Sequence, residues 1–173
     1  MRFQGKVTIV TGAAAGIGEA AALAFAREGA AVAIVDIDRE RSDILAETIK
    51  EIHAESEIFI TDVSSETDVQ AMVKGVMDLW GHVDILVNNA GIYYQGDVLN
   101  TTVETWHNIL DVNLTSAFLC TKYASEAMIK SGEGVIINVA SEAGLVGIRG
   151  QVAYNVSKGG MIELTRSCAV DFA

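Results

Sequence analysis

The stretch from Val7 to Asp36 constrains this chain most, because it dictates the order in which its elements follow one another. An apolar run, Val7 to Val10, leads into Thr-Gly-Ala-Ala-Ala-Gly-Ile-Gly, Thr11 to Gly18, and then into an alanine-rich helical stretch to Glu28, with Gly29 as its C-cap. A second apolar run, Ala31 to Val35, closes on Asp36. Strand, glycine turn, helix, strand and terminal acid is the order a dinucleotide-binding unit requires. Glycines let the backbone approach a pyrophosphate, and the helix N-terminus offers unpaired amides and a favourable dipole. Asp36 follows Gly18 by 18 residues, close to the spacing of an acid that accepts hydrogen bonds from ribose hydroxyls. Such glycine patterns also arise by chance, and Asp36 would serve equally to cap a helix beginning near Arg39. As a ribose ligand, its carboxylate would repel a 2′-phosphate, and Ala14, Ala15 and Ile37 supply no compensating cation. NAD is therefore expected over NADP.

The remaining chain alternates in the same way. Arg39 to His53 reads as a polar-faced helix and Glu57 to Ile60 as a third strand. Asp62 and Val63 then lie at a strand end, where they would meet an adenine or serve only as loop residues. Ser65 to Asp68 fits a capping box for a helix running to about Trp80. Val83 to Val87 is a fourth strand ending in Asn-Asn-Ala-Gly, Asn88 to Gly91, a turn that would pin neighbouring strands or line a cleft; the structural role is favoured for Asn88 and Asn89. Thr101 to Glu104 opens a long helix ending near Lys130, in which Trp106, Ile109, Leu110, Ala117, Phe118 and Ala124 recur at helical spacing as core or interface positions. Asn113 interrupts that stripe, and a buried amide must be satisfied somewhere.

The apolar run Gly134 to Ala140 reads as a buried fifth strand, which puts the Ser141 hydroxyl at the carboxyl edge of a sheet, where open α/β sheets bind ligands. After a glycine-rich connection, Gly144 to Gly150, Tyr154 and Lys158 stand four residues apart and project from one helix face. A free phenol ionises near pH 10, so a tyrosine base needs stabilisation of its phenolate by roughly 4 kcal/mol to act near neutrality. A neighbouring ammonium supplies that sign of effect. Alone, a tyrosine four before a lysine is a weak signal; Ser141, Tyr154 and Lys158 together could move a proton.

Composition narrows the classes. Half of the 173 residues are hydrophobic, enough for one domain, 1–173, with a sizeable core. Net charge is −11 without a basic run, which argues against nucleic acid or an anionic membrane as partner. No apolar run approaches the ~20 residues of a spanning helix, and no signal peptide is read. Cys120 and Cys168 have no metal-ligand spacing and read as reduced, buried thiols of a cytoplasmic protein; His53, His82 and His107 are scattered, and no metal site is expected.

With these residues placed, the chain closely resembles the short-chain dehydrogenases/reductases over its whole length. Thr-Gly-x-x-x-Gly-Ile-Gly, Asn-Asn-Ala-Gly, Asn113, Ser141 and Tyr-x-x-x-Lys come in the family's order, and Ser141 precedes Tyr154 by 13 residues, as the family favours. The resemblance implies a Rossmann-like, doubly wound parallel sheet in three αβα layers, with five strands ordered 3-2-1-4-5. It implies hydride transfer between a nicotinamide cofactor and an alcohol or ketone, with Tyr154 as general acid/base, Lys158 lowering the phenol's pKa and binding the nicotinamide ribose, Ser141 holding the substrate oxygen and Asn113 ordering a water that relays the proton. It implies that Gly12, Ile17 and Gly18 hold the pyrophosphate, Asp36 the adenosine ribose, Asp62 and Val63 the adenine, and Asn89 and Gly91 the cleft floor, with Ala14, Gly16 and Ala90 also among the cofactor-binding residues. A homo-dimer or homo-tetramer through the long helix and the Tyr154 helix is also implied. Relatives continue past this helix into further strands and a substrate lid. The absence of proline, against about nine expected at roughly 5% usage, agrees with a C-terminally truncated chain. A partial record, a truncation and a natural short form remain the explanations, and a catalytically weak nucleotide-binding or assembly fragment is the alternative to a working enzyme.

Overall fold

The computed structural model describes all residues, 1–173. Strand β1 (Val7–Thr11), helix α1 (Gly16–Arg27), β2 (Ala31–Asp36), α2 (Arg39–Glu51), β3 (Ser56–Ile60), α3 (Glu66–Trp80), β4 (Ile85–Asn88), α4 (Val103–Leu110), α5 (Ser116–Ser131), β5 (Val135–Asn138) and α6 (Val152–Asp171) follow in chain order. The strands form one sheet ordered β3-β2-β1-β4-β5, and every neighbouring pair is parallel. Alternation along the strands divides the core between its two faces. Ile9, Ala33, Val35 and Leu86 pack with α3 and α5 through Val69, Met72, Leu119 and Ala124. Val10, Val32, Ile34 and Val87 pack with α1 and α2 through Ala22, Ala26, Leu45 and Ile49. The result is the three-layer Rossmann-like architecture.

Local chemistry sets the boundaries. Ser65 caps α3 by accepting from the Asp68 amide at 3.3 Å, as its capping box predicts. Asp38, rather than Asp36, caps α2, accepting from the Arg41 amide at 3.1 Å. For α4 the cap falls one residue later than expected: Thr102 accepts from the Thr105 amide at 3.1 Å, while the Thr101 hydroxyl donates to the Asp97 carbonyl at 2.7 Å.

Three expectations are corrected. The long helix is interrupted by a π-helical turn, Asp111–Thr115, centred on Asn113. Within α5, Phe118 is half-exposed while Leu119 and Cys120 are buried. Strand β5 is not buried throughout: Val135 and Ile137 are 55% and 41% exposed, because the strand has a neighbour on one side only. Cys120 is buried, and burial pushes its thiol up to about 12, but Cys168 lies only partly covered on α6.

Candidate functional site

The strand order reverses between the parallel neighbours β1 and β4, and the loops leaving their carboxyl ends enclose a cleft of about 630 Å³. Gly12, Ile17, Asp36, Asp62, Val63, Asn89, Ala90 and Gly91 line it together with Tyr154 and Lys158. Residues from four separate strand ends and from α6 thus meet around one space. Ala14, Gly16, Gly18, Asn113 and Ser141 do not line it.

The glycine turn is shaped by close approach. Gly12 has φ +62°, and a Cβ there would come 2.9 Å from Ala90 Cα. A Cβ on Gly18 would lie 2.1 Å from the Gly12 carbonyl oxygen, so only glycine lets α1 start against the turn. Ala15 provides no side-chain cap to α1 and itself lines the cleft, leaving first-turn amides without a side-chain acceptor. Asp36 accepts from the Ala14 amide at 2.9 Å and from the Asp38 amide at 3.0 Å. These bonds join the end of β2 to the turn and leave further lone pairs on the carboxylate. The nearby arginines are engaged elsewhere, Arg39 with Asp43 and Arg41 with Asp38. Asp62 accepts from the Ser64 amide at 2.9 Å and the Ser64 hydroxyl at 2.6 Å, which shapes the loop after β3.

Asn89 joins the two central loops: its amide group donates to the Thr11 and Gly12 carbonyls, both at 3.0 Å. Asn88 is buried behind it and donates to Thr121 at 3.1 Å and Asn138 at 2.8 Å. This tie holds β4 to α5 and β5.

At the other end of the cleft, α6 carries Tyr154 and Lys158. Lys158 is 5% exposed, and its Nζ donates to the Val139 carbonyl at 2.7 Å. Burial lowers its pKa. Nζ lies 5.9 Å from the centre of the Tyr154 ring. A Cβ on Gly144 would touch the Lys158 carbonyl oxygen at 2.5 Å, so the 3₁₀ turn Glu142–Gly144 packs directly on α6. Ser141 begins that turn and accepts from the Ala143 amide at 3.2 Å; its own O–H remains free to donate, and no hydrogen bond joins it to Tyr154. Asn113 is fully buried, with Oδ1 accepting from the Ile92 amide at 2.7 Å and Nδ2 donating to the Ile92 carbonyl at 2.9 Å and to Ser157 at 3.1 Å. Both Nδ2 hydrogens and one Oδ1 lone pair are thus committed to protein groups.

Several participants escaped sequence reasoning. The Val139 and Ile92 backbone groups carry no residue signature. Ser157 does: it is a buried hydroxyl inside Tyr-Asn-Val-Ser-Lys, and it links Asn113 to the Tyr154 carbonyl, which it reaches at 2.9 Å.

A profile of the short chain dehydrogenase family matches residues 6–173. An uncharacterized oxidoreductase of Thermotoga maritima is 46% identical over 172 residues, covering 99% of this chain and 68% of the relative. The meso-2,3-butanediol dehydrogenase of Serratia marcescens is 39% identical over 171 residues, covering 99% and 67%. Among solved structures, an NAD⁺-bound xylitol dehydrogenase superposes with a TM-score of 0.96 at 38% identity, covering 99% of this chain and 66% of that one. The chain therefore spans about two thirds of the length of such relatives. Profile, identity and superposition agree with the motif order and the sheet topology, and the chain belongs to the short-chain dehydrogenase family of oxidoreductases.

Proposed function

We propose that this chain is the catalytic and NAD-binding part of an oxidoreductase that interconverts a secondary alcohol and its ketone. The observation that carries the reading is that one cleft has Asp36 and the glycine turn among its walls together with Tyr154 and a buried lysine. Its donor set suits a dinucleotide: close-approach glycines and uncapped amides for a pyrophosphate, a carboxylate for a ribose, and an amine with two donors to spare beyond its bond to Val139. Gly12 and Ile17 would hold the pyrophosphate in a turn shaped by Ala14, Gly16 and Gly18, Asp36 the adenosine ribose, Asp62 and Val63 the adenine, Asn89, Ala90 and Gly91 the cleft floor, and Lys158 the nicotinamide ribose. When bound, the nicotinamide supplies the hydride acceptor or donor.

In alcohol oxidation Tyr154 Oη takes the hydroxyl proton, and in ketone reduction it returns it. Lys158 stands beside the ring, its Nζ 5.9 Å from the ring centre. Ser141 donates its free O–H to the substrate oxygen. Asn113 anchors Ile92 and Ser157 around Tyr154 and would serve proton relay through this scaffold. The Asp36 carboxylate on the cleft wall would repel a 2′-phosphate, which supports NAD over NADP. Glu142, next in the chain to Ser141, and Gln151, next to the start of α6, could exchange hydrogen bonds with hydroxyls, which supports a polyol or sugar substrate, in keeping with the substrates named for the butanediol and xylitol relatives.

The reading takes residues 1–173 as one domain, a homo-dimer or homo-tetramer through α5 and α6, and a cytoplasmic site of action. Half-exposed Phe118 and Val156 supply apolar surface for that contact. No helix is long and apolar enough to cross a membrane.

The test is a fluorescence titration with NADH and NADPH, followed by turnover on a panel of polyols and secondary alcohols. NADH should bind more tightly than NADPH, and Asp36→Arg should weaken NADH and reverse the preference. Tyr154→Phe should keep NADH binding and lower kcat by at least 100-fold, on the order of a general acid/base contribution. Equal turnover by Tyr154→Phe would sink the catalytic assignment, and an unchanged cofactor preference in Asp36→Arg would sink the ribose assignment.

A further inference from the structure

The loop after β4 carries two adjacent tyrosines, Tyr93 and Tyr94, whose rings go to different places. Tyr94 lies over Gly96, where a Cβ would meet its ring at 2.3 Å. Tyr93 packs on Tyr154 in an edge-to-face arrangement, with ring centres 5.3 Å apart and planes at 75°. Both tyrosines of that pair line the cleft, and Tyr93 is 56% exposed. A half-exposed aromatic ring on a loop has many other rotamers open to it, so this contact needs a cause.

The cause lies in how the segment is tied at both ends. At one end, the buried Asn113 amide grips both backbone groups of Ile92. At the other, the Gly96 amide donates to the Gly150 carbonyl at 2.8 Å and the Val152 amide donates to the Gly96 carbonyl at 3.1 Å. Gly150, at φ +73°, and Val152 lead directly into α6, the helix that carries Tyr154. The Ile92–Gly96 segment is therefore a strap fastened to the π-helical turn behind the cleft and to the start of α6. Tyr93 is the side chain this strap presents to the Tyr154 ring, with Lys158 also beside that ring.

We propose that Tyr93 is a positioning residue for Tyr154: its ring, and not its hydroxyl, holds the Tyr154 side chain in one rotamer beside Lys158. This rests on the reading of Tyr154 as the general acid/base. An edge-to-face pair contributes about 0.5–1.5 kcal/mol beyond area burial, enough to favour one rotamer over another. Displacing a reacting group by about 1 Å can cost a factor of 10² in rate, so loosening the phenol should appear in kcat rather than in cofactor affinity.

The test compares Tyr93→Phe and Tyr93→Ala. The primary readout is the χ1 rotamer population of Tyr154, taken from three-bond N–Cγ and C′–Cγ NMR couplings, with Tyr154→Phe used to identify its resonances. This readout does not depend on turnover. The unaltered chain and Tyr93→Phe should each show one rotamer, whereas Tyr93→Ala should show averaged couplings. In the alcohol assay, Tyr93→Ala should lower kcat roughly tenfold, with NADH affinity unchanged within about twofold, and Tyr93→Phe should restore kcat. A single Tyr154 rotamer in Tyr93→Ala overturns the proposal, whatever happens to kcat; a fall in kcat without rotamer averaging would make Tyr93 a substrate contact instead. Undiminished turnover in Tyr154→Phe would remove the acid/base reading on which the proposal rests. Loss of turnover in Tyr154→Phe, with rotamer and kcat kept in Tyr93→Ala, would remove the positioning role alone.

Discussion

Lys158 is a buried amine with a carbonyl, not a carboxylate, as its hydrogen-bond partner. Burial lowers its pKa from 10.5, so near neutral pH the folded state retains a charge that the unfolded chain hydrates more cheaply. Proton counts set the sign. Between the lowered folded value and 10.5 the unfolded chain binds more protons, so this group's destabilising effect is full at low pH and fades as pH rises through that window. Lys158→Met should therefore be more stable than the parent at pH 7, with an advantage that shrinks as pH approaches 10.5, while turnover is lost. Each 1 kcal/mol gained would raise Tm by about 2–4 °C in a chain of this size. Thermal unfolding at several pH values tests this; a lower Tm, or a gain that does not shrink with pH, would show that the lysine's packing outweighs its charge. That Tyr154 and Lys158 share one helix face was legible in the sequence because a four-residue spacing fixes it, and both line the cleft with Gly12. The acceptor of Lys158 was not, since Val139 offers only the carbonyl that every residue has.

Among the elements, the π-helical turn at Asp111–Thr115 does what an uninterrupted helix would not. It lets a fully buried amide side chain reach Ile92 and Ser157 together. π-Bulges are rare and frequent at functional sites, but nothing in the 3.6-residue spacing from Trp106 to Ala124 announces one. The spacing found a helix, and Asn113 within the stripe was the one legible sign that its regularity broke. Asn113→Leu should leave the Ile92 amide and carbonyl without that partner, at a cost of about 1–3 kcal/mol for a buried group left unsatisfied. Urea unfolding measures the loss, and the strap that carries Tyr93 should show faster amide exchange at Ile92 in the same variant. A loss below about 0.5 kcal/mol, with unchanged exchange, would mean that other groups fix the strap.

At the scale of the whole molecule, the strand order that the motifs implied places Asp36 at the end of β2 and Asn89–Gly91 after β4 around the reversal point, so a linear sequence of motifs becomes one cleft. The same order leaves two strands at the edges, and they are not equivalent. β3, Ser-Glu-Ile-Phe-Ile, carries a charge at Glu57, whereas β5, Val-Ile-Ile-Asn, carries none and exposes Val135 and Ile137. Beside β5 lies a groove of about 370 Å³ between α5 and α6, with Met128, Ile129, Ile136 and Phe172 among its walls. Uncharged edge strands with exposed apolar residues template pairing with other chains, and a lysine on such a strand opposes it. Non-specific aggregation of this chain, as distinct from the α5–α6 contact proposed above, should therefore run through β5. Ile137→Lys should slow the growth of light scattering on heating or concentration and leave NADH affinity unchanged, since Ile137 does not line the cleft. Ile52→Lys, at a position 38% exposed and away from this edge, controls for added charge and should aggregate like the parent. If both variants aggregate alike, the association surface lies elsewhere, with the exposed faces of α5 and α6 the next to be tested.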